Sequence, residues 1–170
     1  MLRRCNLAPD TALADAIVAD INDSTRSWSR PFVAERSWVP VWLGEQELTP
    51  GRLVCLVNPW PEIESRPLSR DQAEFDFEVD FGFAERLQDQ YRGTIDDLRD
   101  LVHSAVARYT KTNFTVAGVG QFIALRQTSV YAAFDPQQLT RTISEDNGEL
   151  RYTGDFMSVF RVPYRFLEAT

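Results

Sequence analysis

Four carboxylates at alternate positions, Glu74, Asp76, Glu78 and Asp80, have the most regular chemical spacing in this sequence. A period of two places them on one face of an extended chain. General acid–base pairs need unequal environments that separate two pKa values. An evenly spaced row offers none, so it reads as an electrostatic surface rather than a catalytic pair. Such a face cannot be buried unpaired and must meet water or matching cations. The positive clusters are small: Arg3 with Arg4, Arg66 with Arg70, Arg161 with Arg165. They make no basic face, and they read as partners for neighbouring acids rather than as a nucleic-acid stripe.

The rest of the chemical inventory is thin. His103 is the only histidine, beside the apolar stripe of a helix, with no nucleophile or orienting group identifiable around it. It reads as a surface side chain. Glu62 with Glu64, and Glu145 with Asp146, lack the spacing of a calcium loop. Gly118 and Gly120 are too sparse for a phosphate loop and have no Lys-Ser or Lys-Thr after them; they read as a turn. The expectation is a protein that is not an enzyme, with no catalytic residues, no metal and no cofactor.

The chain of 170 residues has a formal net charge of -7, which argues against non-specific capture of nucleic acid but not against passage of a polyanion. Its 44% hydrophobic and 25% charged residues are ordinary for one soluble domain. Eleven Phe, five Tyr and four Trp supply rigid area for a core or an interface. Cys5 and Cys55 make no disulfide framework, and Cys55, within Leu53–Val57, reads as a reduced core thiol. Met1 to Asn6 lacks the apolar stretch of a signal peptide, and no window is long enough to span a membrane. A reducing cytoplasm is the expected compartment of synthesis.

The elements that position the acids follow from periodicity. Phe75, Phe77, Val79, Phe81 and Phe83 lie opposite the acids and mark a long central strand whose apolar face must be covered. A first helix is predicted from a cap at Asp10 or Thr11, with the stripe Leu13, Ile17, Ile21 and an end near Asn22 to Thr25. A second is predicted from a capping box at Thr94 and Asp97, with Ile95, Leu98, Leu101, Val102, Ala105, Val106 and Tyr109 on its stripe. Arg36–Leu43 and Arg52–Pro59 read as a strand hairpin, and Trp60–Asp71 as a proline-punctuated loop. Phe122–Phe134 reads as a strand interrupted near Arg126–Ser129, and Asp135–Asp155 as a long polar loop. Phe156–Leu167 reads as a last strand, where Pro163 favours an edge or a bulge. The predicted fold is a single α+β domain: a mostly antiparallel or mixed β-sheet with two main helices packed on one face.

The order of these pieces resembles the tail terminator proteins of long-tailed bacteriophages, and among them the small neck or tail-completion proteins. The matching pieces are Ala12–Ile21; Pro31, Phe32, Glu35 and Arg36; Leu53–Pro59; Phe75–Phe83 with its alternating acids; Asp135-Pro136 before Leu139; and Phe156-Met157-Ser158-Val159 leading to Tyr164-Arg165. Pro163 stands where the family usually has Thr, and Asn147–Tyr152 looks like an insertion.

The resemblance implies a virion protein, assembled in the host cytoplasm as a homo-oligomer, a hexameric ring. The ring would end tail-tube polymerisation and join the tail tube protein to the head connector or adaptor. Viral DNA would pass non-specifically through the lumen, with no membrane partner. The alternatives are a head-side neck adaptor or tail-tube-associated protein, and then a small enzyme or binding module. On the ring reading, Glu74, Asp76, Glu78 and Asp80 form a lumenal or interfacial face. Trp60, Glu62, Arg66, Arg70, Asp135, Arg141, Arg151 and Tyr152 mark contact loops. Reversing the four acids to lysine is then expected to leave ring formation largely intact.

Overall fold

A computed structural model of the chain describes residues 8–38, 48–60, 64–67, 73–126, 129–132, 140–146 and 149–168. They form α1 (Pro9–Ile21), β1 (Val33–Arg36), β2 (Val54–Pro59), β3 (Glu64–Pro67), β4 (Ala73–Tyr91), α2 (Arg92–Tyr109), β5 (Phe114–Val116), β6 (Gly120–Ala124), β7 (Ser129–Ala132), β8 (Thr140–Asp146) and β9 (Glu149–Glu168). One sheet runs β1-β2-β4-β9-β6-β5, with β3 beside β4 and with β7 and β8 beside β9. The α+β class with two helices against a mixed sheet is as the sequence predicts.

The centre of the sheet is the antiparallel ribbon of β4 and β9, in one register from Phe75 opposite Phe166 to Leu87 opposite Gly154, and shifted by an irregularity before Gln90 pairs with Tyr152 and Tyr91 with Arg151. On one face it carries Phe77, Val79, Phe81 and Phe83 beside Phe160, Val162, Tyr164 and Phe166, all buried. The predicted stripe of α2 covers this face, with Leu98, Leu101 and Ala105 fully buried. The first helix touches β1, β2 and β5. Since β1 and β5 are opposite ends of the strand order, the sheet must curl to bring both to one helix.

Several elements differ from the sequence expectation, each for a physical reason. Ala8, with no side-chain bond, caps α1, and Pro9 occupies the first turn, where its missing N–H costs nothing. The second helix starts at Arg92, directly after β4, so Thr94 lies inside it rather than at a capping box. The first strand is Val33–Arg36 and runs parallel to β2. A parallel pair needs a crossover rather than a tight turn, which excludes the predicted hairpin; residues 39–47 lie outside the described ones. The predicted loop after Trp60 contains β3, paired with the start of β4.

Between Asp135 and Asp155, β8 and the start of β9 form a hairpin where a long loop is predicted. Pro163 is central, not at an edge. Its carbonyl accepts from the Leu125 N–H at 3.0 Å, so its missing N–H faces the break between β6 and β7, where Arg126 has a φ of 56°. A proline fits a central strand where the neighbouring ladder is interrupted.

The Gly118 turn and the break near Arg126 appear as predicted, and His103 is exposed. Cys55 is a buried free cysteine, and burial pushes its thiol well above the ordinary range.

Asn22 closes α1 and protects the edge of β1. Its amide nitrogen donates to the Ala34 carbonyl and its amide oxygen accepts the Ala34 N–H, both at 2.9 Å. An open strand edge is thereby plugged by a side chain that imitates a neighbouring strand. Asn22→Leu orphans both groups of buried Ala34 and is expected to cost about 1–3 kcal/mol. Asn22→Asp, which keeps only the acceptor, is expected to fall between, as read from urea unfolding midpoints.

Candidate functional site

The face of β4 that carries the acids is where the sequence places chemistry, and it is neither bare nor uniformly wet. The register sets Asp80 opposite Arg161 and Asp76 opposite Arg165. Arg161 donates to Asp80 from Nε at 2.6 Å and from Nη2 at 3.0 Å, and to Glu78 Oε2 from Nη1 at 2.7 Å. Arg165 grips Asp76 through Nε at 3.0 Å and Nη2 at 3.2 Å. The expectation that Arg161 and Arg165 neutralise neighbouring acids is met.

Trp60 completes the cluster. Its backbone N–H donates to the Glu78 carbonyl at 2.8 Å, extending the β2–β4 ladder. Its indole N–H donates to Asp80 Oδ2 at 2.6 Å, and the Arg161 guanidinium lies 4.6 Å from its ring centroid. Asp80 is 2% exposed, so it holds a charge-assisted fork, an indole bond and a cation–π neighbour in place of water. Asp76 and Glu78 are only half-buried, with their side chains 19% and 28% exposed. Beyond Asp80 the same face turns apolar, with Leu56, Ala84 and Val159 buried together and Leu48 against them. The picture of a wet acidic face therefore fails at Asp80.

The other predicted residues are dispersed. Glu74 and Arg66 face each other in the β3–β4 register. Arg141 lies on β8 opposite Thr153. Arg151 and Tyr152 lie not in a loop but on β9, between β4 and β8. Glu62, Arg70 and Asp135 are outside the described residues.

Sequence reasoning missed two charged centres. Glu85 continues the parity of Phe75 to Phe83, so its carboxylate lies on the apolar face; that parity is a signal legible in the sequence. It is fully buried, takes Arg30 Nη2 on Oε1 at 2.6 Å, and its Oε2 has no partner among the described residues.

The second centre is Asp20, on α1. It accepts from Arg108 at 3.0–3.2 Å, from the Tyr109 hydroxyl at 2.9 Å and from Arg26, tying α1 to the end of α2. No local pattern announces it, because Arg108 and Tyr109 are distant from it in sequence.

Burial alone would push the Asp20 carboxyl up, but the bonds from Arg108, Tyr109 and Arg26 outweigh it and hold the group below its ordinary 3.8. A depressed folded pKa contributes stability that is present above the unfolded pKa and lost as pH falls through the folded one. Asp20 stabilisation is therefore flat near neutrality and declines below about pH 4. Asp20→Asn is expected to cost about 1–3 kcal/mol at pH 7 and to flatten that acid decline, as measured by urea titrations from pH 2.5 to 7. An unchanged pH profile would remove Asp20 from the acid response.

Among the described residues, no group of three or more His, Cys, Asp or Glu is placed to hold a metal ion. No protein-family model matches this chain, and no curated protein is significantly similar to it in sequence.

Proposed function

We propose that this chain is a structural ring subunit of the tail-terminator kind. Six copies cap a phage tail tube, stop its polymerisation and join it to the head connector, with DNA passing through the ring. The observation that carries this reading is the arrangement of its elements. A first helix, a long central strand, a second helix and a long last strand follow one another as in the sequence resemblance, although the hairpin expected before the central strand is replaced by the parallel pair of β1 and β2. Closed rings form when two different patches on each copy meet head to tail.

Within this reading the lumen does not meet a bare row of acids. Asp76, Glu78 and Arg165 remain partly open and offer a mixed, nearly balanced surface, while Asp80 is withdrawn into the Arg161 and Trp60 cluster. DNA then meets few free cations to stall it.

The test is absolute mass in solution across a concentration series, with electron microscopy of the same sample and a binding assay on isolated tail tubes. A mass near six subunits with annular particles, or binding confined to tube ends, supports the ring. A monomer that binds neither tube ends nor connectors sinks it. Binding to connectors alone moves the chain to the head side of the neck.

A further inference from the structure

We propose that the segment from Asn22 to Phe32 is a releasable strap, latched by Arg30 on Glu85, which opens as a unit while the sheet and helices stay folded. Its two ends are fixed, at Asn22 by the amide clamp on Ala34 and at Val33 by the start of β1. Between them, the backbone groups of residues 27–32 make no hydrogen bond among the described residues. Residues 27–32 of the strap therefore add nothing to the backbone ladders and, among the described residues, are held by side chains. Segments lacking backbone bonds to the fold are the ones that open below the free energy of global unfolding.

The side-chain holds are few. Trp28 donates its indole N–H to the Ile21 carbonyl at 3.2 Å and lies 6.5 Å from the Tyr109 ring, while Phe32 rests 5.4 Å from Phe83. Arg26 adds its bond to Asp20, which survives without it because Arg108 and Tyr109 also serve that carboxylate. A groove of about 600 Å³ runs along the strap, lined by Trp28, Arg30 and Phe32 among others. One flank thus lacks the close packing of a core.

The latch itself is poised. Glu85 is fully buried and shares one carboxylate oxygen with Arg30, leaving the other without a partner among the described residues. An incompletely bonded buried charge is costly, and breaking its single partner is costlier still. Opening the strap returns both Arg30 and Glu85 to water, which offsets the lost ring contacts. Arg30 is already 25% exposed, so its release begins from the solvent side.

The Trp28 indole proton is the natural probe, because its bond to Ile21 exists only with the strap shut. Its solvent exchange is to be followed by NMR at increasing sub-denaturing urea, beside the amide of Phe81 in β4. The expected result is Trp28 exchange at least about a hundredfold faster than Phe81 and nearly independent of urea, the mark of local opening. Equal rates with equal urea dependence would overturn the proposal, since the strap would then open only with the whole fold.

Two variants test the latch. Arg30→Ala strands Glu85 and is expected to speed Trp28 exchange at least about tenfold, with a smaller effect on Phe81. The double variant Arg30→Met with Glu85→Met removes the charge altogether and is expected to slow it. If either variant moves both probes together, or leaves Trp28 unchanged, Arg30 and Glu85 are not the latch.

Discussion

Arg161→Ala is expected to lower the unfolding free energy by about 3–5 kcal/mol, the range for stranding one member of a buried ion pair. The size follows from what is left behind. Asp80 is 2% exposed and takes two bonds from Arg161, so the variant retains a buried carboxylate held by the Trp60 indole alone. Glu78 loses its partner too but is 28% exposed, and water replaces most of that loss. The stack of the guanidinium on Trp60 goes as well. Urea unfolding should show a fall in midpoint at unchanged slope.

Removing both charges should cost far less than removing one, because the dominant penalty is an unpaired charge rather than the loss of the pair. Asp80→Leu with Arg161→Leu is therefore expected to recover much of the loss seen in Arg161→Ala. If the two single variants and the double were additive, the coupling described for this cluster would be wrong. The same geometry revises the reversal of all four acids: Asp80→Lys places a second cation against Arg161 inside the sheet, so that variant should fail to fold.

Phe81→Ala is expected to cost about 3–5 kcal/mol, and Phe81→Leu markedly less. The Phe81 ring stacks on Phe160 at 4.6 Å with 5° between planes, and on Tyr109 at 4.9 Å. Tyr109 continues the stack to Phe114, and its carbonyl accepts from the buried Tyr164 hydroxyl at 3.1 Å. Phe81 thus joins β4, β9 and α2 at one point, and its removal leaves a hole that rigid rings fill poorly. Calorimetry and near-ultraviolet circular dichroism would check both parts; an alanine variant close to wild type would show that the stack can collapse around the gap.

The legible parts of this fold were those written in local period. Phe75 to Phe83 alternate strictly, and Ile95 to Tyr109 recur at three and four, so a central strand and the second helix could be read directly. The full length of β4 could not, because Glu85, Arg86, Gln88 and Asp89 interrupt the apolar alternation while the pairing with β9 continues. The β8–β9 hairpin was hidden because Thr140–Asp146 is polar, and its backbone rather than its composition does the pairing. The centrality of Pro163 depends on a break in another strand, at Arg126, which no window around the proline contains.

The candidate site shows the same division. That Arg161 and Arg165 serve neighbouring acids was visible from charge alone; that Asp80 is sealed in while Asp76 and Glu78 stay open was not. It depends on Trp60 folding over the ladder, and Trp60 lies in a stretch whose prolines suggested a loop. Glu85 was readable by parity, and Asp20 was not readable at all, because its helix partners are joined only by tertiary packing.

The β4–β9 ribbon also governs the order in which the chain can be made. Partners such as Asp76 and Arg165 are 89 residues apart. At translation rates of about 5–20 residues per second, β4 leaves the ribosome roughly 4–18 seconds before β9 exists to pair with it. During that interval an aromatic strand whose β9-facing backbone edge is open is the kind of segment that associates with other nascent copies. The next element synthesised is α2, whose buried stripe fits the aromatic face of β4. The helix can form within microseconds, so the chain carries its own cover for that face before the last strand arrives.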